Sequence, residues 1–440
     1  MTQLRTLRRR VELGLIVLAT IVTVCMYALA GLGRTASIPA DIGPFLGLVL
    51  ALLVSAHLVM RRVAPDADGL LLPLAALLNG IGYVFIVRLD EDLAAYQAMW
   101  TAVGIGAFIA TLVVVRRPRD LQRYRYTFLL IGLVLLVAPL LPVIGFERLG
   151  AKIWVQIGSV TFQPGEFAKV ALAVFFAGYL VDRRELLAVS TFRIGPIMLP
   201  DPKHAGPLLA AWGVSLMIMV AQQDLGSSLL FFTMFLVMLW VATERTSYVV
   251  LGAGLFAVGA WLSYMQFSHV RDRVAIWLDP FAPELIRNEA YQIVQAAYAL
   301  AFGGLTGTGL GLGNPDRVPV VTTDFIFAAI GEELGLVGAT AVIVTYLLMV
   351  GSGLRIAMQA DGAFEKLLAV GLTTLIGFQA FLIIAGVIRL LPLTGITLPF
   401  VSYGGSSLVA NYVLLALLLR VSDDSTARQL RRLEREAVAA

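Results

Sequence analysis

Charge, cysteine and histidine are all scarce in this chain. Of 440 residues only 14% are charged, and there are one cysteine and three histidines. Soluble domains carry roughly 25% charged residues. The single cysteine, Cys25, excludes an intrachain disulfide and a cysteine-based metal centre. His57, His204 and His269 are scattered and outline neither a metal site nor a catalytic triad. There is no Walker loop, no GxGxxG after a strand, no HExxH and no zinc-ligand spacing, so the chemistries those motifs carry have no support here.

What the chain has instead is apolar sequence. It is 59% hydrophobic with a mean hydropathy of +0.86. A soluble domain of this length could not hide so much apolar surface, so the chain reads as an all-α polytopic membrane protein. About twelve segments are long and apolar enough to cross: 13–33, 42–60, 69–88, 97–115, 127–145, 164–181, 207–221, 225–242, 247–265, 325–350, 366–388 and 403–420. The first follows Arg8, Arg9 and Arg10 but is too long for a signal-peptide core, which makes it a retained anchor.

The net charge of +4 is spread over connections, where it sets topology and gives no reason to invoke nucleic acid. With a cytoplasmic N-terminus, the cytoplasmic side receives Arg8 to Arg10, Arg61, Arg62, the arginines at 116, 117, 119, 123 and 125, Arg183, Arg184, Arg245 and the arginines of 428–435. The opposite side holds far fewer, so both termini are expected in the cytoplasm of a multi-pass plasma-membrane protein. The connection at about 266–323 is then extracytoplasmic, and it is long enough to suggest function or substructure. Within it, 291–300 reads as a short interfacial or re-entrant helix, followed by glycines at 303, 304, 307, 309, 311 and 313. A second outer insertion, 150–164, is too polar to span.

Ionisable groups near membrane depth are the candidate chemistry. Asp324 stands at the head of an apolar span, where an acid can cap a helix or act as a general base; a helix start would also hold it ionised. Glu166 and Lys169 share a helix face, as a structural ion pair or with Lys169 available to a phosphate. Asp224 lies in a tight connection where Asp is an ordinary turn residue. Glu332 and Glu333 follow within the same run as Asp324, and pairing with a basic residue is their expected role. Arg271, Arg273, Arg287 and Arg389 stand where positive charge is scarce, suited to lipid headgroups or to a diphosphate clamp. Ser402, Ser406 and Ser407 open the last span, either as a small-residue packing surface or as partners for a phosphate or a sugar hydroxyl.

Several motifs, in order, resemble one family. They are Phe162-Gln163-Pro164 with Glu166 and Lys169, then Gln222 with Asp224-Leu225-Gly226, then Arg273 with Leu278-Asp279-Pro280. After these come Thr323-Asp324-Phe325-Ile326-Phe327, Glu332-Glu333-Leu334-Gly335, Pro392-Leu393-Thr394-Gly395 and 398–407. From about 69 to 420 the chain resembles the SEDS family (shape, elongation, division, sporulation) of peptidoglycan glycosyltransferases, the RodA and FtsW proteins. It departs from the family pattern at Val320, Gln223 and Gly165. Two extra N-terminal spans and Arg389 before Pro392 look more like the RodA type.

The resemblance implies a core of ten spans at 66–421, preceded by a two-span extension at 1–65 and followed by a basic cytoplasmic tail at 422–440. It implies polymerisation of lipid II at the outer membrane face, with release of undecaprenyl diphosphate from a lipid-linked glycan. The family's essential aspartate falls on Asp324, its membrane lysine on Lys169 and the neighbouring acid on Glu166. Asp324 is then the base for an inverting attack that gives a β-1,4 link. Lys169, Arg271 and Arg273 are expected at the anionic end, with Mg²⁺ or Mn²⁺ as a cation. The expected partner is a class B penicillin-binding transpeptidase. A lipid II flippase, a division-type FtsW-like polymerase and a scaffold for the transpeptidase are the rival readings.

Overall fold

The computed structural model describes residues 2–37, 42–142, 144–148, 151–158, 160–188, 190–194, 197–200, 202–286 and 288–439. Arg287 lies outside the described residues. In chain order the first helices are α1 (Thr2–Thr35), α2 (Ile42–Val63), α3 (Leu71–Leu89), α4 (Asp92–Val114), α5 (Asp120–Arg123) and α6 (Arg125–Val137). Strands β1 (Gly145–Arg148), β2 (Ala151–Ile157) and β3 (Val160–Phe162) lead to α7 (Gly165–Ala188), and β4 (Ser190–Ile194) and β5 (Ile197–Pro200) lead to α8 (Pro202–Ala221). The chain continues through α9 (Leu225–Thr243), α10 (Thr246–Gln266), α11 (Ser268–Leu278) and α12 (Tyr291–Gly303). It ends in α13 (Ile326–Gln359), α14 (Ala363–Val387) and α15 (Gly405–Ala439).

Every apolar segment read from the sequence coincides with one of these helices. Among the described residues eight are long and apolar enough to cross a membrane, and two shorter apolar helices, Arg125–Leu140 and Leu209–Ala221, add to them. In α7 the apolar run is interrupted by Asp182, Arg183, Arg184 and Glu185. Mid-chain helices such as α3 are buried nearly all round, whereas much of α10 is exposed, as lipid-facing helices are.

The polar insertion before α7 is a small antiparallel sheet of order β1-β2-β3. Its local cause is the alternation of Ile153, Val155 and Ile157 with Lys152, Trp154 and Gln156, which suits a strand with one face covered. The long connection after α10 is also more structured than a loop: it holds α11, which the sequence reading missed, and α12, close to the expected 291–300. At the C-terminus the basic tail is helical. It continues α15 in one helix to Ala439, supported by Arg420–Asp423 and Arg428–Asp424 pairs along the helix.

The described residues form two compact units. The first comprises 1–114, 267–352 and 379–419, with α1 packed on α3 and α2 on α4. The second comprises 115–266, 353–378 and 420–440, where α7 packs on α6 and α9.

Inside the first unit α13 is broken at Gly335, whose φ of 64° and ψ of −166° are not helical. The glycine-rich segment after α12 fills the break. Leu336 and Val337 N–H donate to the Gly304 and Leu305 carbonyls, and Thr308 and Gly309 N–H donate to the Glu332 and Glu333 carbonyls. These bonds pair the Leu336 and Val337 N–H and the Glu332 and Glu333 carbonyls within protein, as membrane depth requires.

The acids that follow Asp324 hold the same segment. Arg88 Nε donates to Glu333 Oε1 at 2.7 Å, while its other nitrogens reach Asp316 at 3.1 Å and the Gly313 carbonyl at 2.8 Å. Gly311 N–H donates to Glu333 Oε2, and Asn314 N–H to Glu332 Oε1. The pairing expected for these glutamates is therefore real for Glu333, and its partner is an arginine from α3.

Candidate active site

Asp324 sits on a turn just ahead of α13. Thr323 and Asp324 N–H both donate to the Val320 carbonyl at 3.2 Å, and Val320 holds a left-handed φ of 56°. The first turn of α13 closes on itself, with Ala328 N–H donating to the Phe325 carbonyl at 2.8 Å. The turn is also pinned from the C-terminal motif. Ser402 Oγ donates to the Thr323 carbonyl at 2.5 Å, and Tyr403 N–H donates to the Thr322 carbonyl at 2.9 Å.

Arg273 comes to Asp324 on α11, which is fixed to the segment after α14 at two points. Arg273 Nη1 reaches the Leu393 and Thr394 carbonyls at 3.4 Å. One turn on, Trp277 Nε1 donates to the Arg389 carbonyl at 3.1 Å, and Arg389 returns a bond to the Trp277 carbonyl at 3.4 Å. Gly395 borders both charges: a methyl group there would stand 3.7 Å from Asp324 Oδ2 and 4.0 Å from Arg273 Nη2. Burial pushes the Asp324 carboxyl up to about 6, opposed by the Thr323 side-chain hydrogen bond and then by the Arg273 charge. Removal from water thus outweighs the local stabilisation, yet a carboxyl near 6 is still ionised at neutral pH.

Arg271, two residues before Arg273, is exposed, because that spacing puts the two on different helix faces. It remains available to a ligand but is not part of the Asp324 cluster. Ser402, Ser406 and Ser407 are buried. Ser402 Oγ also accepts from Leu398 N–H at 2.9 Å, and Ser407 Oγ accepts from Thr397 Oγ1 at 2.8 Å. The hydroxyls of Ser402 and Ser407 thus build the turn that holds Asp324. Gln379 supports the same turn by donating to the Thr397 carbonyl at 2.8 Å.

The second unit carries its own charged cluster. Lys169 Nζ lies 2.8 Å from Glu166 Oε1 on α7, and both side chains are almost fully buried, at 3% and 5% exposure. Asp224 caps α9, accepting from Ser227 N–H at 2.9 Å, so the turn reading holds at that residue. Its carboxyl is pushed up by burial; the Ser227 bonds and the Lys169 charge oppose this, and Glu166 adds to it. Glu166, Lys169 and Asp224 therefore form one electrostatic group. Among the described residues no set of three or more Asp, Glu, His or Cys side chains converges as a metal site. A divalent cation beside Asp324 would take one protein carboxylate and complete its shell from ligand oxygens and water, as Mg²⁺ does at phosphate sites.

Gly395 and Trp277 were not read as site features from sequence, and Arg389 was read for its charge and not as a partner of Trp277. Their only signal was the Pro392-Leu393-Thr394-Gly395 motif and the unusual basic residue before it. Nothing in the sequence around Arg88 announces a partner more than 200 residues away.

Comparison with known proteins gives the family. Residues 70–427 match the model of the FtsW/RodA/SpoVE cell cycle protein family. The chain is 46% identical over 427 residues to the peptidoglycan glycosyltransferase RodA of Mycobacterium tuberculosis, covering 94% of this chain and 90% of the relative. It is 33% identical over 344 residues to the probable peptidoglycan glycosyltransferase FtsW of Geobacter sulfurreducens, covering 78% and 86%. Solved structures are similar too, two of them as follows. One, described as structural coordination of polymerization and crosslinking by a peptidoglycan synthase complex, has a TM-score of 0.66 at 26% identity, covering 82% of this chain and 98% of that one. The other, the rod shape determining protein RodA of Thermus thermophilus, has a TM-score of 0.58 at 26% identity, covering 81% and 97%.

Proposed function

This chain belongs to the FtsW/RodA/SpoVE family, and from that premise we propose how its site works. It is an integral membrane peptidoglycan glycosyltransferase of the RodA type. Asp324 is the general base: its carboxylate takes the proton of an acceptor sugar hydroxyl on lipid II. The hydroxyl oxygen forms a bond to the anomeric carbon of the lipid-linked glycan. The bond from that carbon to the diphosphate breaks, and the electron pair leaves with undecaprenyl diphosphate. Attack opposite the leaving group inverts the centre and gives a β link. A diphosphate leaves without a protein acid, so cations rather than proton donors are needed on that side.

The observation that carries this reading is the half-buried Asp324 with a carboxyl near 6 beside Arg273. A base of that strength is ionised at neutral pH yet retains affinity for a proton. Arg273 steadies the developing negative charge, and exposed Arg271 adds to the field a diphosphate meets on approach. Glu166, Lys169 and Asp224 are proposed to serve the anionic end of a substrate. A divalent cation, Mg²⁺ or Mn²⁺, would supply charge neutralisation at the diphosphate.

The site is proposed to face the extracytoplasmic side, with both termini in the cytoplasm, as the arginine distribution favours. The proposed partner is a class B penicillin-binding transpeptidase, in line with a similar structure described as a complex for polymerization and crosslinking. Reconstitution in vesicles with lipid II tests the reaction class. Glycan polymer is expected, and translocation of lipid II without polymer would favour a flippase.

A further inference from the structure

A cavity of about 370 Å³ opens beside the N-terminal extension, away from Asp324 in sequence and lined by residues the proposed reaction does not use. Tyr27 and Ala30 of α1, Val84 and Val87 of α3 and Ala94 of α4 form its apolar wall. Its mouth is charged: Arg34 Nη1 lies 2.8 Å from Glu91 Oε1, with side-chain exposures of 45% and 70%. The volume falls within the ~300–1,000 Å³ range of small-molecule pockets. On the outer side of α1 at this level Leu29 and Leu32 are exposed, which puts the mouth beside a lipid-facing surface.

We propose that this cavity binds one zwitterionic phospholipid of the phosphatidylethanolamine class. Its phosphate would lie against Arg34, its ammonium against Glu91 and part of an acyl chain along Tyr27 and Val84. An exposed ion pair contributes little by itself, so a headgroup that supplies both charges can open it at small cost. A headgroup with a phosphate and no cation leaves Glu91 facing like charge.

The site reaches the glycine-rich segment through two contacts. Arg88 lines the cavity and holds Glu333, Asp316 and the Gly313 carbonyl with its guanidinium. The end of α1 meets the segment backbone to backbone: a methyl group at Gly33 would stand 2.2 Å from the Leu310 carbonyl oxygen, and one at Gly311 2.4 Å from that of Ala30. A bound lipid therefore steadies the segment that runs on to the Asp324 turn.

Native mass spectrometry of the purified full-length protein, exchanged into mixed micelles with phosphatidylethanolamine or phosphatidylglycerol, tests the proposal. One phosphatidylethanolamine per chain is expected, retained at least ~10-fold better than phosphatidylglycerol, since a charge-assisted contact is worth about that factor. Glu91→Gln should abolish the preference, and Ala94→Phe should fill the cavity and abolish retention. Hydrogen exchange at the 308–311 amides should slow more with phosphatidylethanolamine than with phosphatidylglycerol in the wild type, and equally with the two in Glu91→Gln. Equal retention of the two lipids by the wild type, or unchanged preference in Glu91→Gln, would overturn the proposal. The wild-type comparison decides even if Ala94→Phe does not fold, and none of these readouts depends on catalysis.

Discussion

Asp324 and Arg273 both border Gly395, and the Arg273 charge acts on the Asp324 carboxyl. A methyl group at Gly395 would stand 3.7 Å from the carboxylate and 4.0 Å from the guanidinium. Each charge is brought there by different sequence: Asp324 by a turn pinned to Ser402, Arg273 by a helix clamped through Trp277 to Arg389.

The pair sets the pH dependence. With the Asp324 carboxyl near 6, kcat/KM for polymerisation should rise with pH through an inflection near 6 and level off above it. Arg273 lowers that value, so Arg273→Gln should move the inflection to higher pH, and Arg273→Lys should move it less. Arg273→Gln should also reduce kcat on the order of 10²-fold, as loss of one transition-state donor does. A pH–rate profile of the three proteins checks this; an inflection that stays put in Arg273→Gln would separate Arg273 from Asp324.

Glu166 and Lys169 can be separated into structure and function by a double substitution. Lys169→Met alone strands a buried carboxylate and should cost roughly 3–5 kcal/mol of stability. Glu166→Gln with Lys169→Met removes both charges and should restore most of that loss. If Lys169 serves the diphosphate, the double variant should be well folded yet at least ~10-fold less active, since a charged contact is worth that much or more. Thermal unfolding and lipid II turnover on the same samples report the two quantities.

Arg88 and Glu333 should behave as scaffold. Arg88→Gln leaves Glu333 buried without its cation and is expected to lose roughly 3–5 kcal/mol. Glu333→Gln should cost less, because an amide oxygen can still accept from Gly311 N–H. Both effects should show first in faster hydrogen exchange at 308–311, next to the break at Gly335.

The spans were legible because apolar runs of about 20 residues admit almost one structure at membrane depth. Asp324 was legible because a lone acid at the head of such a run is conspicuous. The sheet before α7 was hidden by its shortness and by reading the insertion only for polarity, although Ile153, Val155 and Ile157 alternate with Lys152, Trp154 and Gln156. Long-range partners were not legible: Arg88 looks like a topogenic charge until Glu333 and Asp316 are placed beside it. The serines of 402–407 read equally as a packing surface or as partners for a phosphate or a sugar hydroxyl, because their sequence shows only small hydroxyls at a helix start. It does not show that Leu398 N–H, the Thr323 carbonyl and Thr397 already occupy Ser402 and Ser407.

Polymerisation of lipid II by purified Asp324→Asn protein, measured beside the wild type at pH 7.5, tests the central claim most directly. In the folded protein this carboxyl titrates near 6, above the ordinary aspartate value of 3.8. Its ionised form therefore disfavours folding at pH above about 6, and the effect is absent below the ordinary value. Asparagine removes that burden, so the variant should unfold at an equal or higher temperature while making no polymer. Polymer formed at the wild-type rate by a folded Asp324→Asn protein would contradict a general base at Asp324.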